Sequence, residues 1–201
     1  MAIAVKRALV TGAGKRLGRE MALDLARRGY DVAVHYAGSE EAAREVAEEI
    51  RAMDRTADVV QADLLDERAA EALVPQAAEA LGGPLSVLVN NASIFDYDNI
   101  ETTTRESWDR HMMSNLRAPF VLTQALAAQV PEPLRDDMGE PLAQGFVVNM
   151  IDQRVRKLTP EFMSYTLAKS ALWTLTQTAA MALAPRVRVN AIGPGPTLKG
   201  A

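Results

Sequence analysis

Short apolar segments alternate with helical patterns along the whole sequence, and this alternation restricts the possible folds more than any other feature. Segments typical of buried strands lie at residues 8–10, 31–36, 59–62, 87–89, 146–150 and 187–191, with helical patterns between them. Strands that are connected by helices run parallel, with right-handed crossovers. We therefore predict an α/β fold, a doubly wound parallel sheet flanked by helices, in a single domain over residues 1–201.

A glycine-rich turn separates the first strand from its helix. Gly12, Gly14 and Gly18 fall in this turn. Glycines allow the backbone to approach a pyrophosphate closely, and the start of a helix offers free N–H groups. An ordinary glycine-rich turn is the alternative. The strand–turn–helix context favours dinucleotide binding and a Rossmann-type fold.

The end of the second strand indicates which dinucleotide is bound. Sites that prefer NAD place an acidic residue there for the ribose hydroxyl groups. Here the chain reads His35-Tyr36-Ala37-Gly38-Ser39, with no acid before Glu40. His35, Ser39, Lys15 and Arg16 could donate to a 2′-phosphate, so we predict NADPH rather than NADH. Ser39 is equally well placed to cap the helix that follows.

Tyr165 and Lys169 are four residues apart in a long helical pattern, and so share one helical face. A neighbouring cation lowers the pKa of a phenol, which suits Tyr165 to proton transfer in a carbonyl or imine reductase. This spacing occurs by chance in roughly one such sequence in ten. The alternative is a buried tyrosine beside a solvated lysine.

Composition excludes several classes of function. The net charge is −4 and the charges are mixed, so there is no basic surface for nucleic acid. The sequence contains no Cys, and His35 and His111 lack partners at ligand spacing, so we predict no metal site. No apolar run is long enough for a membrane span, and Lys6 and Arg7 interrupt the apolar N-terminus too early for a signal peptide. We expect a cytoplasmic protein.

Local patterns predict where helices begin or break. Pro75 should kink or split the helix at residues 66–81. Thr103 and Glu106 are spaced as a capping box for a helix that continues to about Gln129. Residues 131–144 should form an irregular loop. Asn115 lies within an apolar helical stretch, where a buried amide needs hydrogen-bond partners.

These motifs together resemble the short-chain dehydrogenase/reductase family over almost the whole chain. The remaining matches are Asp63-Leu64, Asn90-Asn91-Ala92, Asn115 and the segment from Asn190 to Gly195. Most members have Gly where Arg16 stands, and a catalytic Ser where Asp152 stands. Both departures resemble the pteridine reductase and dihydromonapterin reductase branch. His35-Tyr36, Ser93 and Phe95 also match that branch.

The patterns and the resemblance together assign the predicted site residues. Cofactor binding is assigned to Gly12, Gly14, Lys15, Arg16, Leu17, Gly18, His35, Tyr36, Ser39, Asp63, Leu64, Asn91, Ala92, Ser93, Tyr165, Lys169, Pro194 and Gly195. The implied catalytic residues are Asn115, Asp152, Tyr165 and Lys169, and the implied substrate contacts are Ser93, Phe95, Asp152 and Tyr165.

The resemblance also implies a role for each catalytic residue. Tyr165 would donate a proton, Lys169 would hold the nicotinamide ribose, and Asn115 would order a water relay. Phe95 would stack a pterin ring against the nicotinamide. Asp152 would accept hydrogen bonds from the pterin or, when protonated, supply the proton itself. Alternatively, Asp152 is a surface partner of Arg154 or Arg156.

The predicted function is NADPH-dependent reduction of a pterin-like substrate. A general carbonyl reductase of the same family, acting on a keto, sugar or acyl substrate, is the first alternative. A non-catalytic protein that binds NADP(H) is the second. The family implies a homotetramer or dimer. Members usually continue for some tens of residues beyond the Pro-Gly motif, so we expect a strand, a helix and a substrate-covering loop to be missing here.

Overall fold

The computed structural model describes residues 6–195 of the chain. The apolar N-terminal segment and Pro196 and Thr197, which follow the Pro-Gly motif, lie outside the described residues. The six main strands form one parallel sheet, and helices cover both faces. The spatial order of the strands is 57–61, 31–36, 7–10, 87–90, 145–150 and 187–192. The predicted doubly wound α/β fold is confirmed.

The elements follow the predicted alternation. The strands of the main sheet are β1 (Arg7–Val10), β2 (Asp31–Tyr36), β3 (Ala57–Gln61), β4 (Val87–Asn90), β7 (Gly145–Met150) and β8 (Val187–Ile192). The helices are α1 (Arg16–Arg27), α2 (Glu40–Arg51), α3 (Glu67–Ala80), α4 (Arg105–Met112), α5 (Ala118–Gln129) and α6 (Met163–Leu183). A short antiparallel pair, β5 (Leu134–Arg135) and β6 (Pro141–Leu142), lies apart from the sheet.

The core has two layers because successive strand residues point to opposite faces of the sheet. Leu9, Ala33 and Leu88 pack against α3, α5 and the end of α6. Ala8 and Val10, on the other face, pack against α1 and α2. Strands that are buried on both faces appear in the sequence as continuous apolar runs, which is why the sequence located them correctly.

The structure differs from three local predictions. Helix α3 runs through Pro75 without a break, with this residue on the exposed side. The cap of α4 is Thr104, whose hydroxyl accepts from the Ser107 N–H, whereas the Thr103 hydroxyl donates to the carbonyl of Asn99. The predicted irregular loop at 131–144 contains the β5–β6 pair, which Asp136 supports by accepting from two backbone N–H groups of its turn.

The sheet topology places the functional site. The chain leaves β1 through α1 towards β2 on one side, while β4 continues to β7 on the other side. The carboxyl ends of β1 and β4 are therefore the topological switch point, where open α/β sheets bind ligands. The glycine-rich turn follows β1 and the Asn91-Ala92-Ser93 segment follows β4, so the predicted cofactor residues meet there.

A π-helical turn, Met113–Arg117, joins α4 to α5 and contains the buried Asn115. π-Helical turns inside α-helices are frequent at functional sites. The sequence predicted one continuous helix here, because periodicity does not distinguish a single inserted residue.

Candidate active site

Close backbone contacts fix the glycine-rich turn. Gly12 has φ +63°, a left-handed conformation that favours glycine. A Cβ atom on Gly18 would lie 2.2 Å from the Gly12 carbonyl oxygen and 2.6 Å from Asn91 Nδ2. A Cβ atom on Gly14 would lie 3.2 Å from the backbone nitrogen of Ala43 in α2. Gly14 thus allows α2 to approach the turn, and Gly18 allows α1 to cross it.

Thr11 ties this turn to the end of β4, a role that the sequence analysis missed. Its hydroxyl accepts from the backbone N–H groups of Asn91 and Ala92, both at 2.9 Å. Asn91 Nδ2 donates in return to the carbonyl groups of Thr11 and Gly12. The two predicted cofactor loops therefore form one hydrogen-bonded unit. The sequence showed only that Thr11 directly follows a strand, and this position does not reveal which other strand its side chain contacts.

His35 supports the turn from beneath and does not face a cofactor. It is 1% exposed, and its Nδ1 accepts from the Gly12 N–H at 2.9 Å. Its Nε2 lies 3.1 Å from the carbonyl oxygen of Ala62, to which it donates. Burial lowers the pKa of His35 to about 4, so the ring is neutral at pH 7. Both ring nitrogens are occupied, and the predicted role of His35 as a phosphate donor is wrong.

The start of α1 fits a phosphate group. Its N-cap residue, Lys15, makes no side-chain cap, and the first turn carries no acid. Lys15 and Arg16 are exposed beside it. The free N–H groups and the positive end of the helix dipole favour an anion. Arg16 has φ +54°, a left-handed conformation that explains why most family members have glycine there.

The other predicted cofactor residues line the same edge of the sheet, with some differences in their side chains. Ser39 occupies the N-cap position of α2 but makes no cap hydrogen bond, so its exposed hydroxyl remains available. Tyr36 is half-buried at the end of β2. Asp63 accepts from the Leu65 N–H, and the Leu64 side chain belongs to the core. Pro194 and Gly195 follow β8 at the end of the described chain.

Tyr165 and Asp152 are directly hydrogen-bonded. The Tyr165 hydroxyl donates to Asp152 Oδ2 at 3.1 Å, while Asp152 Oδ1 accepts from the Arg154 N–H at 2.8 Å. The Arg154 guanidinium lies 3.7 Å from the same carboxylate. Asp152 is therefore both a partner of Tyr165 and a partner of Arg154, so the two alternatives of the sequence analysis are combined in one arrangement.

Lys169 lies beneath Tyr165 in the interior. It is 2% exposed, and its Nζ donates to the Met150 carbonyl at 2.8 Å. The ammonium is 5.8 Å from the centre of the Tyr165 ring. Burial lowers the pKa of Lys169 to about 8, although the charge of Asp152 opposes this shift. The solvated lysine of the alternative interpretation is excluded.

The structure reverses the expected shift of Tyr165. Burial, and then the charge of Asp152, raise the pKa of its phenol well above the usual value, and Arg154 and Ser93 only partly oppose this. The sequence predicted a lowered pKa because it considered the lysine and not the carboxylate that the fold brings closer. Tyr165 consequently keeps its proton at neutral pH, as a proton donor requires.

Asn115 anchors the loop after β4. Its Oδ1 accepts from the Ile94 N–H at 2.9 Å and its Nδ2 donates to the Ile94 carbonyl at 2.8 Å. This two-way pairing satisfies a buried amide, as the sequence required. It also fixes the backbone between Ser93 and Phe95. The ordering of a water relay by Asn115 stays a prediction.

Phe95 presents an aromatic surface beside Tyr165. Its ring is stacked on Phe162, with centroids 4.2 Å apart and planes 7° apart, and contacts Tyr165 edge to face at 4.7 Å. The Arg154 guanidinium lies 5.3 Å from the Phe95 centroid and 4.8 Å from the Phe162 centroid. A guanidinium on the face of Phe95 that points away from Phe162 would be much farther from the Phe162 ring. Arg154 therefore flanks the stacked pair, and Phe95 remains 49% exposed.

The family model described as short chain dehydrogenase matches residues 6–200. The chain belongs to the short-chain dehydrogenase family. The chain is therefore a short-chain oxidoreductase, and the catalytic roles of Asn115, Tyr165 and Lys169 stay predictions. The family resemblance of the sequence is confirmed.

Relatives of known name carry different activities. The chain is 36% identical to 3-oxoacyl-[acyl-carrier-protein] reductase FabG of Staphylococcus aureus over 191 residues, 94% of this chain and 74% of that protein. It is 43% identical to the solved FolM alternative dihydrofolate reductase 1 of Brucella canis complexed with NADP, with a TM-score of 0.89 over 99% of this chain and 77% of that one. A blue fluorescent protein from a metagenomic library, solved with NADPH, is 33% identical, with a TM-score of 0.85 over 95% and 74% of the two chains.

In this short-chain dehydrogenase the buried Lys169 predicts a pH dependence of cofactor affinity. A lysine is charged below its pKa, so the ammonium is present below about pH 8 and is lost above it. We expect NADPH, a polyanion, to bind more weakly as the pH rises from 7 to 10, by about tenfold if binding raises the Lys169 pKa by one unit. Fluorescence titration of NADPH at several pH values measures this. Lys169→Met should give a flat profile, and a native profile that is equally flat would contradict the prediction.

In residues 6–195 no group of three His, Cys, Asp or Glu side chains is arranged to hold a metal ion. The same part of the chain has no helix with the length and apolar character that a membrane crossing needs.

Proposed function

We propose that this short-chain dehydrogenase reduces the C=N bond of a pterin-like ring with NADPH. The observation that carries the proposal is the Tyr165–Asp152 hydrogen bond beside the open face of Phe95. A donor and a carboxylate next to an aromatic surface match a flat heterocycle that carries both N–H groups and ring nitrogens. The likeness to FolM alternative dihydrofolate reductase 1 supports the same substrate class.

The cofactor is NADP(H). Solved relatives from Brucella canis, Brucella suis and Burkholderia cenocepacia are in complex with NADP, and the metagenomic relative is in complex with NADPH. The exposed Lys15 and Arg16 at the start of α1, and the absence of an acid at the end of β2, agree with a 2′-phosphate. The free N–H groups at the start of α1, which follow the glycine-rich turn, fit the pyrophosphate.

Arg16 provides a test of this preference. We expect Arg16→Gly to weaken NADPH binding by about tenfold, because a charge-assisted hydrogen bond is lost, and to leave NADH binding within about twofold. Glycine also adopts the left-handed conformation without strain, so the folded state should not be destabilised. Fluorescence titration with each cofactor measures the effect, and Arg16→Lys serves as the charge-retaining control. Equal losses for NADPH and NADH would contradict the assignment.

The reduction needs a hydride and a proton. NADPH, when bound, supplies the hydride to a ring carbon. The neutral Tyr165 phenol is the proton donor for the ring nitrogen. Its O–H donates to Asp152 in the structure, so the hydroxyl turns to the substrate before the proton moves, and the phenolate that remains takes up a proton from water. Asp152 has one further role open to it, since a carboxylate accepts from the amino and ring N–H groups of a pterin. Lys169 places positive charge below the site, and the Asn115–Ile94 pairing holds the loop that carries Phe95.

A carbonyl reductase is the second candidate, because FabG reduces a 3-oxoacyl group and is similar over 94% of this chain. The same Tyr165 proton would then go to an alkoxide oxygen. This candidate leaves the stacked Phe95 and Phe162 without a ligand for their open face, and for that reason we favour the pterin.

Turnover distinguishes the candidates. NADPH oxidation should be followed by the absorbance of NADPH, with dihydrobiopterin, dihydromonapterin, dihydrofolate and an acetoacetyl thioester as substrates. We expect turnover of at least one dihydropteridine, and a large rise in KM for it in Phe95→Ala. Activity on the thioester alone would overturn the pterin proposal and support the second candidate. Met181→Ala, an exposed apolar change near the C-terminal end of α6, is the matched control.

We also propose a homo-oligomer, as the family resemblance implies. Met112, Met113, Leu116 and Phe120 line an exposed apolar groove of about 540 Å³ on the outer surface of α4, the π-helical turn and α5. A second copy of this chain would cover it. Light scattering after gel filtration should give a multiple of the 21.8 kDa chain mass, and Phe120→Glu should shift it towards the monomer. A monomeric native protein would overturn this proposal.

A further inference from the structure

A buried polar network lies directly before Tyr165 and has no part in the proton transfer described above. Asp98 is 1% exposed, and His111 and Ser164 are fully buried. The three residues come from the loop after β4, from α4 and from the first turn of α6. The network therefore joins the loop that carries Phe95 to the helix that carries Tyr165.

The hydrogen bonds assign the proton positions in this network. The Asp96 N–H donates to His111 Nε2 at 3.1 Å, so this nitrogen carries no proton. His111 Nδ1 then donates to the Ser107 carbonyl at 3.0 Å and to Ser164 Oγ at 2.7 Å. The hydroxyl of Ser164 in turn donates to Asp98 Oδ2. His111 is thus held by hydrogen bonds at both ring nitrogens.

Asp98 is the charged end of the network. Its carboxylate accepts from the Ser164 hydroxyl, from the Ser107 hydroxyl at 2.7 Å and from the Ser164 N–H at 3.1 Å. Burial alone raises the pKa of Asp98, but these hydrogen bonds outweigh burial and the net pKa is lowered. The residue types are those of a hydrolase triad, yet here the serine and not the histidine contacts the carboxylate, and all three side chains are buried. Nucleophilic chemistry is therefore excluded.

Asp98 supplies the cap that α6 lacks locally. The N-cap residue of α6, Phe162, has φ +55° and makes no side-chain cap. The N–H of Ser164 instead donates to the Asp98 carboxylate, and the N–H of Met163 donates to the Asp98 carbonyl at 3.3 Å. A negative charge at the start of a helix is stabilised by the helix dipole. The first turn of α6 is consequently held by a residue 66 positions earlier in the chain.

We propose that Asp98 is a positioning residue, which acts through Ser164 to hold Tyr165 against Asp152 and Phe95. Tyr165 is the third residue of α6, so any movement of its first turn displaces the phenol directly. Through these bonds Asp98 also fixes the loop that carries Phe95, and Phe162, the residue directly before α6. This inference rests on the proposed role of Tyr165 as proton donor.

Two variants and a control test the proposal. Asp98→Asn keeps the shape but places an N–H₂ group against donors, and Ser164→Ala removes the link while favouring the helix. Thr178→Ala removes an exposed hydroxyl that donates within α6, far along the same helix. We expect kcat per NADPH-binding site to fall about 10²-fold in Asp98→Asn and about tenfold in Ser164→Ala, because a displacement of about 1 Å can cost 10²-fold. NADPH affinity and the activity of Thr178→Ala should stay within about twofold.

A structural readout separates this proposal from the substrate assignment. In crystals of Ser164→Ala, which is expected to fold even if Asp98→Asn does not, we expect the 3.1 Å contact between Tyr165 Oη and Asp152 Oδ2 to be lost or lengthened. An unchanged contact, or a kcat within about twofold of native in either variant, would overturn the positioning role. The kcat values are measured with whichever dihydropteridine or keto substrate the native enzyme reduces. A failure of the pterin proposal would change the substrate and not the ratio between variant and native enzyme.

Discussion

Replacing Tyr165 by phenylalanine is expected to lower kcat by about 10²–10⁴-fold, the range that general acid catalysis contributes, while NADPH affinity stays within about twofold. The substitution removes the hydroxyl that donates to Asp152 and leaves the ring that packs edge to face on Phe95. The loss should therefore fall on chemistry and not on folding. Stopped-flow measurement of NADPH oxidation and fluorescence titration of the cofactor give the two numbers.

The matched control is Tyr30→Phe, which removes a phenol at the start of β2, away from the site. Its kcat should stay within about twofold of native. A Tyr165→Phe enzyme with normal turnover would contradict the catalytic role of the phenol. If the cell also retained the biological role of the protein with this variant, the non-catalytic NADP(H)-binding alternative would gain support.

The division of the proton duty between Tyr165 and Asp152 is tested by a double-mutant cycle. Asp152→Asn removes the charge that raises the Tyr165 pKa and the acceptor of its hydrogen bond. Residues that act as one unit show strongly non-additive losses. We expect the Tyr165→Phe/Asp152→Asn double variant to be no slower than the slower single variant. If the fold-losses in kcat of the two single variants multiplied in the double variant, the two residues would provide independent proton routes.

The sequence was sufficient for the sheet and for the edge at which the site lies. Strands buried on both faces are continuous apolar runs, and the motifs that follow β1, β4, β7 and β8 gather at their carboxyl ends by topology alone. This is why Gly12 and Asn91 were correctly expected at one edge of the sheet, where they are hydrogen-bonded. Local sequence patterns predict the strands and helices, and the parallel connections between them determine which segments lie side by side in the sheet.

The errors concern groups whose state depends on long-range contacts. His35 was expected to donate to a 2′-phosphate because it lies near the end of β2, but the N–H of Gly12, 23 residues earlier, donates to its Nδ1. The Tyr165 pKa was assigned from a neighbour on the same helix, whereas Asp152 arrives from the loop after β7. Asp98 carried no sequence signal, since its partners lie on two other elements. Periodicity contains no information about such partners.

The second large effect concerns Gly18, for which two physical arguments predict opposite signs. Gly18 lies within α1, where alanine is the better helix former by about 1 kcal/mol, so propensity alone predicts that Gly18→Ala stabilises the protein. Packing, in contrast, predicts that Gly18→Ala destabilises the protein. The new Cβ would lie 2.2 Å from the Gly12 carbonyl oxygen and 2.6 Å from Asn91 Nδ2, distances that non-bonded atoms do not adopt.

Packing should prevail, because the Gly12 oxygen belongs to the backbone and two hydrogen bonds, to the carbonyl groups of Thr11 and Gly12, hold the Asn91 amide in place. Overpacking of this kind costs about 1–3 kcal/mol or more. We expect Gly18→Ala to lower Tm by several degrees and to weaken NADPH binding about 10²-fold, since α1 must move off the turn that binds the phosphates.

Gly38→Ala, whose Cβ would meet no atom within 4 Å, should change the free energy of unfolding by less than about 0.5 kcal/mol. Thermal unfolding and NADPH titration of both variants decide the matter, and a stabilised Gly18→Ala enzyme with native cofactor affinity would show that the turn and α1 are not in the close contact described here.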